Sequence, residues 1–510
     1  MVQQLSLAKK CALLALFCLA QFLDVFNGSA LYATIPTLRK DLGYSETGAT
    51  WLISAYQLTF ASFLLSAGKI SDVYDPKIVF VGGVAIQGLL GLGAGFVNTR
   101  IPLIVLRALN GVAAAQTIPS ALSLIINVFP EQDEQAFALG AFGGTGAIAN
   151  SRYPLYSSYR FNANIVLGLV IGAIFVQFAS WHWAFWFSAL VSLPVAAMST
   201  WLVPPQVLTA DRNQPPREKI RRLDILGVSV LTTALILLIF AITSGSSAGW
   251  KSAGVVAPLV ISVLMVGGFF LYETRIPEQY AAIPPRTWFL PNFAVLFAAA
   301  LMPYFYWTTV STLYTILWQN IYGISAIKTA VYMVPLGVVS FATSFSGRLT
   351  QWIHPKWLIL GGQFLALGST VMFVFADTWS KYWPLVFPAF CIGSTGAMLA
   401  FVHTNLAIFR TTPQSMSGTV GALFNGALQL GSALGLAVAT SIETSVEAHS
   451  PSGAEGFRGR RAAWLFLAAV IATEAICVAI FFRTLTPKLT DTETSASSEK
   501  SSNAAVGEVQ

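Results

Sequence analysis

The sequence predicts an all-α integral membrane protein with about fourteen transmembrane helices. Hydrophobic residues make up 55% of the 510 residues and charged residues only 10%, whereas a soluble domain carries about 25% charge. A chain with so little charge cannot cover a water-facing surface, so lipid must surround most of it. Apolar runs of about 20 residues, long enough to cross a bilayer, recur along the chain. These runs begin near residues 11, 50, 78, 102, 136, 182, 224, 253, 292, 328, 357, 383, 418 and 463.

The basic residues between the runs predict how the chain is oriented. If the N-terminus is cytosolic, the inner loops carry more Lys and Arg than the outer loops, and an even number of spans places both termini in the cytosol. The loop at 441–462 departs locally from this bias, although three glutamates offset its arginines. The net charge of +7 does not indicate nucleic-acid binding, because the basic residues are spread over short loops and form no basic face.

The runs and the loops between them predict a division into five segments. Two six-helix bundles would occupy residues 1–203 and 291–485. A cytosolic linker loop rich in Pro and Arg, 204–223, and an extra helix pair with its following loop, 224–290, would separate them. The Ser/Thr/Glu-rich tail, 486–510, is expected to be disordered in the cytosol.

A weak internal repeat supports two bundles. Gly68-Lys69-Ile70 at the end of the second run matches Gly347-Arg348-Leu349 at the end of the tenth. Two six-helix bundles separated by an extra helix pair would produce this offset, and internal duplication is common in transporter folds.

Residues 151–163 interrupt the fifth run with polar and aromatic side chains. One interpretation is a real loop; the other is retained intron sequence, whose deletion would restore one continuous span. A polar segment at membrane depth needs protein or water around every backbone group, which favours the second interpretation.

The first run carries the polar residues Gln21, Asp24 and Asn27, followed by Gly28, and Gln21, Asp24 and Gly28 share one helix face. A carboxylate near the bilayer centre is costly, so the default interpretation is functional. We therefore predict that Asp24 takes up and releases a proton. The alternative is a structural, hydrogen-bonded aspartate.

The fourth run carries Arg107, Asn110, Ala114 and Thr117 on one stripe. The guanidinium of Arg107 stays charged, so it must be paired or hydrated. Asp24 is the partner that we expect, and the pairing would favour the ionised form of Asp24. The alternative is an arginine that snorkels to the nearby membrane surface.

The loop between the second and third runs, GKISDVYDPK (68–77), combines a packing glycine with helix-capping residues. Gly68 allows close helix contact. Asp72 can accept hydrogen bonds from helix-end amides or pair with Lys77. Asp75 and Pro76 read as the cap and first residue of a helix.

Aromatic residues crowd the ninth run, and isolated polar groups lie in later runs. The aromatic side chains suit either a pocket for flat or cationic molecules or an interfacial belt. His403 in the twelfth run and Glu474 in the fourteenth are further polar groups at membrane depth. The aromatic residues are Tyr304, Tyr306, Trp307, Tyr314 and Trp318.

No P-loop, zinc-spaced His/Cys set or nucleophile elbow occurs in the sequence. We therefore expect no enzymatic activity, no catalytic residues, no cofactor and no metal.

Two motifs together resemble the major facilitator superfamily. GKISDVYDPK is similar to its helix 2–3 motif through Gly68, Asp72 and Lys77, although Val73 and Asp75 replace the usual Arg and second Gly. LRALNGVAAA (106–115) resembles its helix 4 motif through Arg107 and Gly111. The chain over about residues 10–485 looks like the fungal fourteen-spanner drug:proton antiporters, near the aminotriazole-resistance type.

This resemblance implies a pathway between the two bundles, lined by helices 1, 4, 9 and 12. Asp24 and Arg107 would couple transport to protons. Gly68, Asp72 and Lys77 would form a gating motif. The substrate-binding candidates are Gln21, Asn27, Asn110, Tyr304, Trp307 and His403.

The function expected from these features is proton-coupled efflux of small organic molecules by alternating access. The protein would act as a monomer in a lipid bilayer, in the plasma membrane or alternatively the vacuolar membrane. Its partners would be protons and a small-molecule substrate. An importer or uniporter of the same fold is the first alternative, and a membrane sensor that transports nothing is the second.

Overall fold

The computed structural model describes most of the chain, and all regular secondary structure within the described residues is helical. The described residues are 6–43, 46–143, 175, 179–204, 216–278, 280–413, 416–451 and 456–484. The segment 151–163 and the tail at 486–510 lie outside them, so both expectations stay predictions.

The first half of the chain is built from eight described helices. They are α1 (Leu7–Leu42), α2 (Glu46–Val73), α3 (Pro76–Ala94), α4 (Arg100–Ala114), α5 (Thr117–Val128), α6 (Gln132–Gly143), α7 (His182–Leu202) and α8 (Pro216–Arg222).

The remaining described α-helices begin with the extra pair, α9 and α10. They are α9 (Ile225–Ala248), α10 (Ala253–Glu273), α11 (Phe293–Ala299), α12 (Met302–Thr315), α13 (Ala326–Ser344), α14 (Pro355–Val374), α15 (Phe387–Arg410), α16 (Ser417–Ala448) and α17 (Arg458–Phe481). Short 3-10 or π turns cover Pro285–Phe289, Ile316–Ile321, Phe345–Gln351, Trp379–Lys381 and Tyr382–Val386.

Twelve stretches of the described chain are long and apolar enough to cross a membrane. The 28-residue α2 is also of spanning length, and α6 leads into residues 144–174, which are not described. The predicted all-α membrane fold with about fourteen spans is therefore confirmed. The division into bundles and a linker stays a prediction, but α8 is a short helix within the segment that the sequence predicts to be a loop.

Some predicted spans consist of two helical pieces. The fourth span, Arg100–Val128, is interrupted at residues 115–116 between α4 and α5, and the ninth, Phe293–Gln319, at residues 300–301 between α11 and α12. Pro303 occupies the first turn of α12, where the missing N–H leaves no hydrogen bond unmade.

The two halves of the chain meet along α2, α5, α6 and α16. α16 packs against both α2 and α5, and α6 packs against the turn at Phe345–Gln351. Small residues permit this approach, because Gly68 lies so close to Ala422 and the Gly418 carbonyl that any side chain there would collide with them. The end of the molecule that bears the α2–α3 turn is therefore closed by contacts between the halves.

The extra helix pair, α9 and α10, lies beside the contact between the two halves. α9 packs against α2 and α16, and α10 packs on α9. The hydroxyls of Ser66 and Thr232 are 3.0 Å apart across the α2–α9 contact. Lys69 Nζ donates to the Ala281 carbonyl at 2.7 Å, which ties α2 to the segment after α10.

Equivalent lysines fasten the last helix of each half. Lys77, the second residue of α3, donates to the Val203 carbonyl just beyond α7 at 2.7 Å. Lys356, the second residue of α14, donates to the Ala479 carbonyl near the end of α17 at 2.8 Å. Both contacts place a cation at a helix C-terminus, where the unpaired carbonyls favour positive charge.

Candidate functional site

Asp24 lies near the middle of α1 and is buried, with 5% of its surface exposed. Gln87 Nε2 from α3 donates to its Oδ1 at 2.8 Å. Thr117 Oγ1 from α5 lies 2.5 Å from its Oδ2. Neither neighbour is charged, so this carboxyl is held by neutral hydrogen-bond partners from two other helices.

The hydroxyl of Thr117 has a second partner, because its Oγ1 also lies 2.7 Å from the Ala114 carbonyl. A hydroxyl has one proton to donate and can also accept. It can donate to an ionised Asp24, or it can donate to Ala114 and accept the proton of a neutral Asp24. Both protonation states of Asp24 are therefore hydrogen-bonded here.

The predicted ion pair between Arg107 and Asp24 is wrong. The guanidinium of Arg107 instead donates to the carbonyls of Asn27 and Leu52, at 2.7 and 3.0 Å. Asp24 is level with Thr117, which lies nearly three turns further along the fourth span. Arg107 is only 1% exposed, so the snorkelling alternative is wrong as well.

Tyr56 connects Arg107 with Asp24. Its ring lies beneath the guanidinium, with 4.5 Å between Arg107 Cζ and the ring centroid. Its hydroxyl donates to the backbone carbonyl of Asp24 at 3.0 Å. The arginine thus acts on α1 through backbone carbonyls and this ring, and not through the Asp24 side chain.

The amides predicted to bind substrate are divided in the structure. Asn110 Nδ2 donates to the Gln87 carbonyl at 3.1 Å and so lies beside the Asp24 site. Asn27 Nδ2 donates to Ser188 Oγ in α7 at 3.1 Å, which turns that side chain towards the interior of its own half. Gln21 is buried on the helix face of Asp24.

Buried acceptor oxygens remain without a partner around Asp24. Gln87 Nε2 faces the carboxylate and Asn110 Nδ2 faces a carbonyl, so the orientations of both amides are fixed by their donors. Their oxygens, with that of Gln21, have no hydrogen-bond partner. Buried acceptors of this kind are costly unless a ligand or water donates to them.

Tyr304 and Trp307 of α12 form one cluster with Phe401 of α15. The ring centroid of Phe401 lies 6.4 Å from that of Tyr304 and 6.4 Å from that of Trp307, and the Phe401 and Tyr304 rings are almost parallel. Tyr304 and Trp307 also pack against the apolar core that includes residues of α1 and α5. These two predicted pocket residues are therefore brought together, on the side of α12 that faces the first half.

The other three aromatic residues of the ninth span belong to a different environment. Tyr306, Tyr314 and Trp318 are buried in the core of the second half. Tyr306 is within 2.9 Å of the Ser369 hydroxyl in α14. These three residues therefore belong neither to a substrate pocket nor to an interfacial belt, the two predicted alternatives.

His403 is not beside the aromatic cluster. It lies two residues after Phe401 and so projects from a different face of α15. It is buried, and its Nε2 is 3.2 Å from Ser346 Oγ in the turn that contacts α6. The structure thus places this predicted substrate-binding residue at the contact between the halves.

Asp72 makes the polar contact that closes the end of the molecule. Its carboxylate accepts the backbone N–H groups of Gly418 and Thr419, each at 2.8 Å, and the Thr419 hydroxyl at 2.5 Å. These donors lie in the first turn of α16, where the helix dipole favours negative charge. Of the two partners predicted for Asp72, the helix-end amides are confirmed.

Lys77 takes no part in this contact. Its ammonium binds the Val203 carbonyl within its own half. Asp75 caps α3 by accepting from the backbone N–H of Lys77. Of the three residues of the predicted gating motif, Gly68 and Asp72 therefore contact α16 and Lys77 does not.

Three residues of the site were missed in the sequence: Gln87, Tyr56 and Phe401. Gln87 could have been found, because it is an amide in the middle of an apolar, glycine-rich run. Tyr56 and Phe401 carry no such signal, since aromatic residues are frequent throughout this chain.

Among the described residues, no group of three His, Cys, Asp or Glu side chains could hold a metal ion.

Sequence comparison identifies relatives along most of the chain. The family profile described as Major Facilitator Superfamily matches residues 17–436. The cephamycin export protein CmcT of Amycolatopsis lactamdurans is 28% identical over 86% of this chain and 86% of its own length. The multidrug transporter mfsC of Aspergillus fumigatus is 26% identical over 82% of this chain and 77% of its own length.

A solved structure shares the fold. The human organic anion transporter MFSD10 (TETRAN) superposes with a TM-score of 0.62, covering 92% of this chain and 99% of that chain at 12% identity. This likeness concerns the fold alone.

Proposed function

Because the chain belongs to the Major Facilitator Superfamily, we propose that it is a proton-coupled exporter of small organic molecules in which Asp24 carries the proton. The observation that carries this proposal is the pair of neutral donors on the Asp24 carboxyl. Burial of the Asp24 carboxyl opposes its ionisation, whereas the hydrogen bonds donated by Gln87 and Thr117 stabilise the ionised form. A carboxyl balanced in this way can gain and lose a proton during a transport cycle.

The reorientation of the Thr117 hydroxyl supports the same proposal. When Asp24 is ionised, Thr117 donates to it; when Asp24 is neutral, the carboxyl donates to Thr117 and the threonine donates to Ala114. Protonation from outside would release substrate, and loss of the proton to the cytosol would favour substrate capture. Neither step leaves the carboxyl or the hydroxyl unpaired.

Efflux is the proposed direction. Several relatives are named for export or resistance, among them the cephamycin export protein and the puromycin resistance protein. The unpartnered oxygens near Asp24 and the rings of Tyr304 and Trp307 suit an organic substrate with an apolar body and hydrogen-bond donors.

The proposed location is the plasma membrane, with both termini in the cytosol, as the distribution of Lys and Arg favours. The end closed by Asp72 and α16 would then face the cytosol. Alternating access requires this contact to break when the cytosolic side opens.

The experiment that tests the proposal uses inside-out membrane vesicles from cells that express the full chain. A toxic compound to which a deletion strain is hypersensitive serves as the substrate. Acidifying the vesicle interior should drive accumulation of the compound, and a protonophore should abolish it. Accumulation that does not respond to the gradient would indicate a uniporter. Accumulation only in right-side-out vesicles with an inward proton gradient would indicate an importer.

A further inference from the structure

A second carboxyl lies at membrane depth in the described chain, away from Asp24. Glu474 belongs to α17, roughly 10 Å along the helix axis from its end at Phe481. Its neighbours Ile471, Ala475 and Val478 are buried, whereas Thr473 and Ile476 are exposed on the outer surface. Glu474 is half-buried at the border between the α14 contact and the lipid-facing side of α17.

Gln363 of α14 is the hydrogen-bond partner of Glu474. Its Nε2 lies 3.2 Å from Glu474 Oε1. Gln363 is fully buried, and its own Oε1 has no hydrogen-bond partner. A carboxylic acid can donate a hydrogen bond to an oxygen of this kind, whereas a carboxylate cannot.

No cation balances Glu474. It takes part in no ion pair among the described residues. Two described cations lie near this end of the helix. Lys356 binds the Ala479 carbonyl, more than a helical turn from Glu474, and Arg483 lies beyond the helix end with an exposed side chain. An ionised carboxylate in an apolar environment without a cation is strongly disfavoured, and such groups neutralise instead.

A protonated Glu474 removes both difficulties. Its O–H can donate to Gln363 Oε1 while Gln363 Nε2 donates to the other carboxyl oxygen. An acid and a primary amide placed this way form two parallel hydrogen bonds, and the buried amide oxygen of Gln363 gains its missing donor. An ionised Glu474 would leave the Gln363 oxygen without a hydrogen-bond donor and place it beside a negative charge.

We propose that Glu474 and Gln363 form a neutral carboxylic acid–amide pair, a second proton-holding site that lies outside the Asp24 site and that lipid-soluble carbodiimides can modify. In this reaction the acid O–H adds across one C=N bond of the reagent. The carboxyl oxygen bonds to the central carbon and the proton passes to a nitrogen, giving an O-acylisourea that rearranges to a stable N-acylurea with no group lost. Only the protonated acid supplies this proton.

The labelling test uses the full chain in lipid nanodiscs and dicyclohexylcarbodiimide, with the adduct located by peptide mass spectrometry. We expect an adduct on Glu474 to the same extent at pH 6 and pH 8, and none at this position in Glu474→Gln. Labelling that falls about tenfold for each pH unit across this range would show an ionising carboxylate and overturn the proposal.

Infrared difference spectra between the wild type and Glu474→Gln decide the protonation state if the reagent cannot reach the site. The wild type should show the carbonyl band of a protonated carboxyl at pH 8 that the variant lacks. Absence of this band at pH 8 would overturn the proposal.

Two matched variants test the pairing and its separation from transport. Glu474→Gln can make the same two hydrogen bonds, so its Tm and its proton-driven export should equal those of the wild type. Gln363→Leu removes both bonds and should lower the Tm. A Glu474→Gln variant that is as unstable as Gln363→Leu, or that loses proton coupling, would contradict a neutral pair outside the pathway.

Discussion

At the scale of single residues, the proposed change in the protonation of Asp24 depends on Thr117. Its hydroxyl lies between the Asp24 carboxyl and the Ala114 carbonyl, at 2.5 and 2.7 Å. Only a group that both donates and accepts can serve the two states. In the proposed mechanism, Thr117 is therefore as important for coupling as Asp24 itself.

We therefore expect Thr117→Val to lower proton-driven export by about tenfold or more, because a buried hydrogen bond to a charged group is worth about 1.5–3 kcal/mol. Thr117→Ser keeps the hydroxyl and should stay close to the wild type. The measurement is initial export rate per amount of protein in the membrane, at several external pH values. Equal rates for the Val and Ser variants would show that the hydroxyl has no part in coupling.

Arg107 holds two helices through their backbones, so its replacement should act on folding as well as on transport. Arg107→Ala would leave the buried carbonyls of Asn27 and Leu52 without these donors, at about 1 kcal/mol or more for each. Arg107→Lys keeps the charge but loses the planar fork and should be intermediate. Membrane yield and export rate measure both effects; normal values for both variants would refute this role.

Some of this site could be predicted from residue types alone. Asp24 stands out as a carboxyl within an apolar run, and Thr117 shares a helical stripe with Arg107. The pairing of Arg107 could not be predicted, because the relative heights of α1 and the fourth span depend on helix packing. The position of Tyr56 between Arg107 and Asp24 also depends on this packing, so the sequence did not indicate it.

At the scale of secondary-structure elements, the N-terminus of α16 is the structure that Asp72 recognises. The carboxylate occupies the first turn of the helix, where unpaired N–H groups and the helix dipole attract an anion. On the α16 side the contact uses two backbone N–H groups and the Thr419 hydroxyl, so replacement of Asp72 should weaken it more than replacement of any one side chain of α16.

Asp72→Asn should weaken this contact, because the amide group offers one acceptor oxygen and no negative charge. In a background without the native cysteines, Ser344→Cys is a near-isosteric reporter, buried where α13 contacts α6. We expect a membrane-impermeant maleimide to react with it several-fold faster in Asp72→Asn. Lys77→Met, which does not touch α16, is the control and should leave the rate unchanged. Similar rates in all three proteins would refute a gating role for Asp72.

The equivalent lysines of α3 and α14 give a prediction about each half. Lys77→Met and Lys356→Met each remove a bond to the end of a distant helix, worth about 0.3–1 kcal/mol for a cation near a helix C-terminus. Each variant should therefore unfold at a slightly lower temperature, with proton coupling intact. Thermal unfolding of the purified proteins measures this. A large loss of export in Lys77→Met alone would instead support a gating role for that residue.

The helices themselves were largely predictable because a bilayer imposes their length. Predicted starts near 78, 182 and 253 lie within two residues of α3, α7 and α10. The break between α4 and α5 was not predicted, although Pro119 lies in the first turn of α5 and cannot supply the N–H that a continuous helix needs there. The helix α8 was missed because its polar, Pro-flanked sequence resembles a linker.

At the scale of the whole molecule, the proposed proton site, the aromatic cluster and the Asp72 contact all lie along the contact between the two halves. Asp24 and Thr117 belong to one half and Tyr304 and Trp307 to the other, while Asp72 and α16 hold one end of this contact closed. The resemblance to transporters predicted this arrangement of halves. It did not predict that His403 would lie at the contact between the halves, since that depends on which face of α15 meets α6.

The central claim is that Asp24 couples substrate export to proton movement, and Asp24→Asn in proteoliposomes tests it most directly. Asn is isosteric with a neutral Asp and can still bond with Gln87 and Thr117, so the variant should exchange labelled substrate down its own gradient. It should no longer accumulate substrate in response to an imposed pH gradient, whereas the wild type does both. An Asp24→Asn protein that accumulates substrate with the pH gradient as well as the wild type does would contradict the claim.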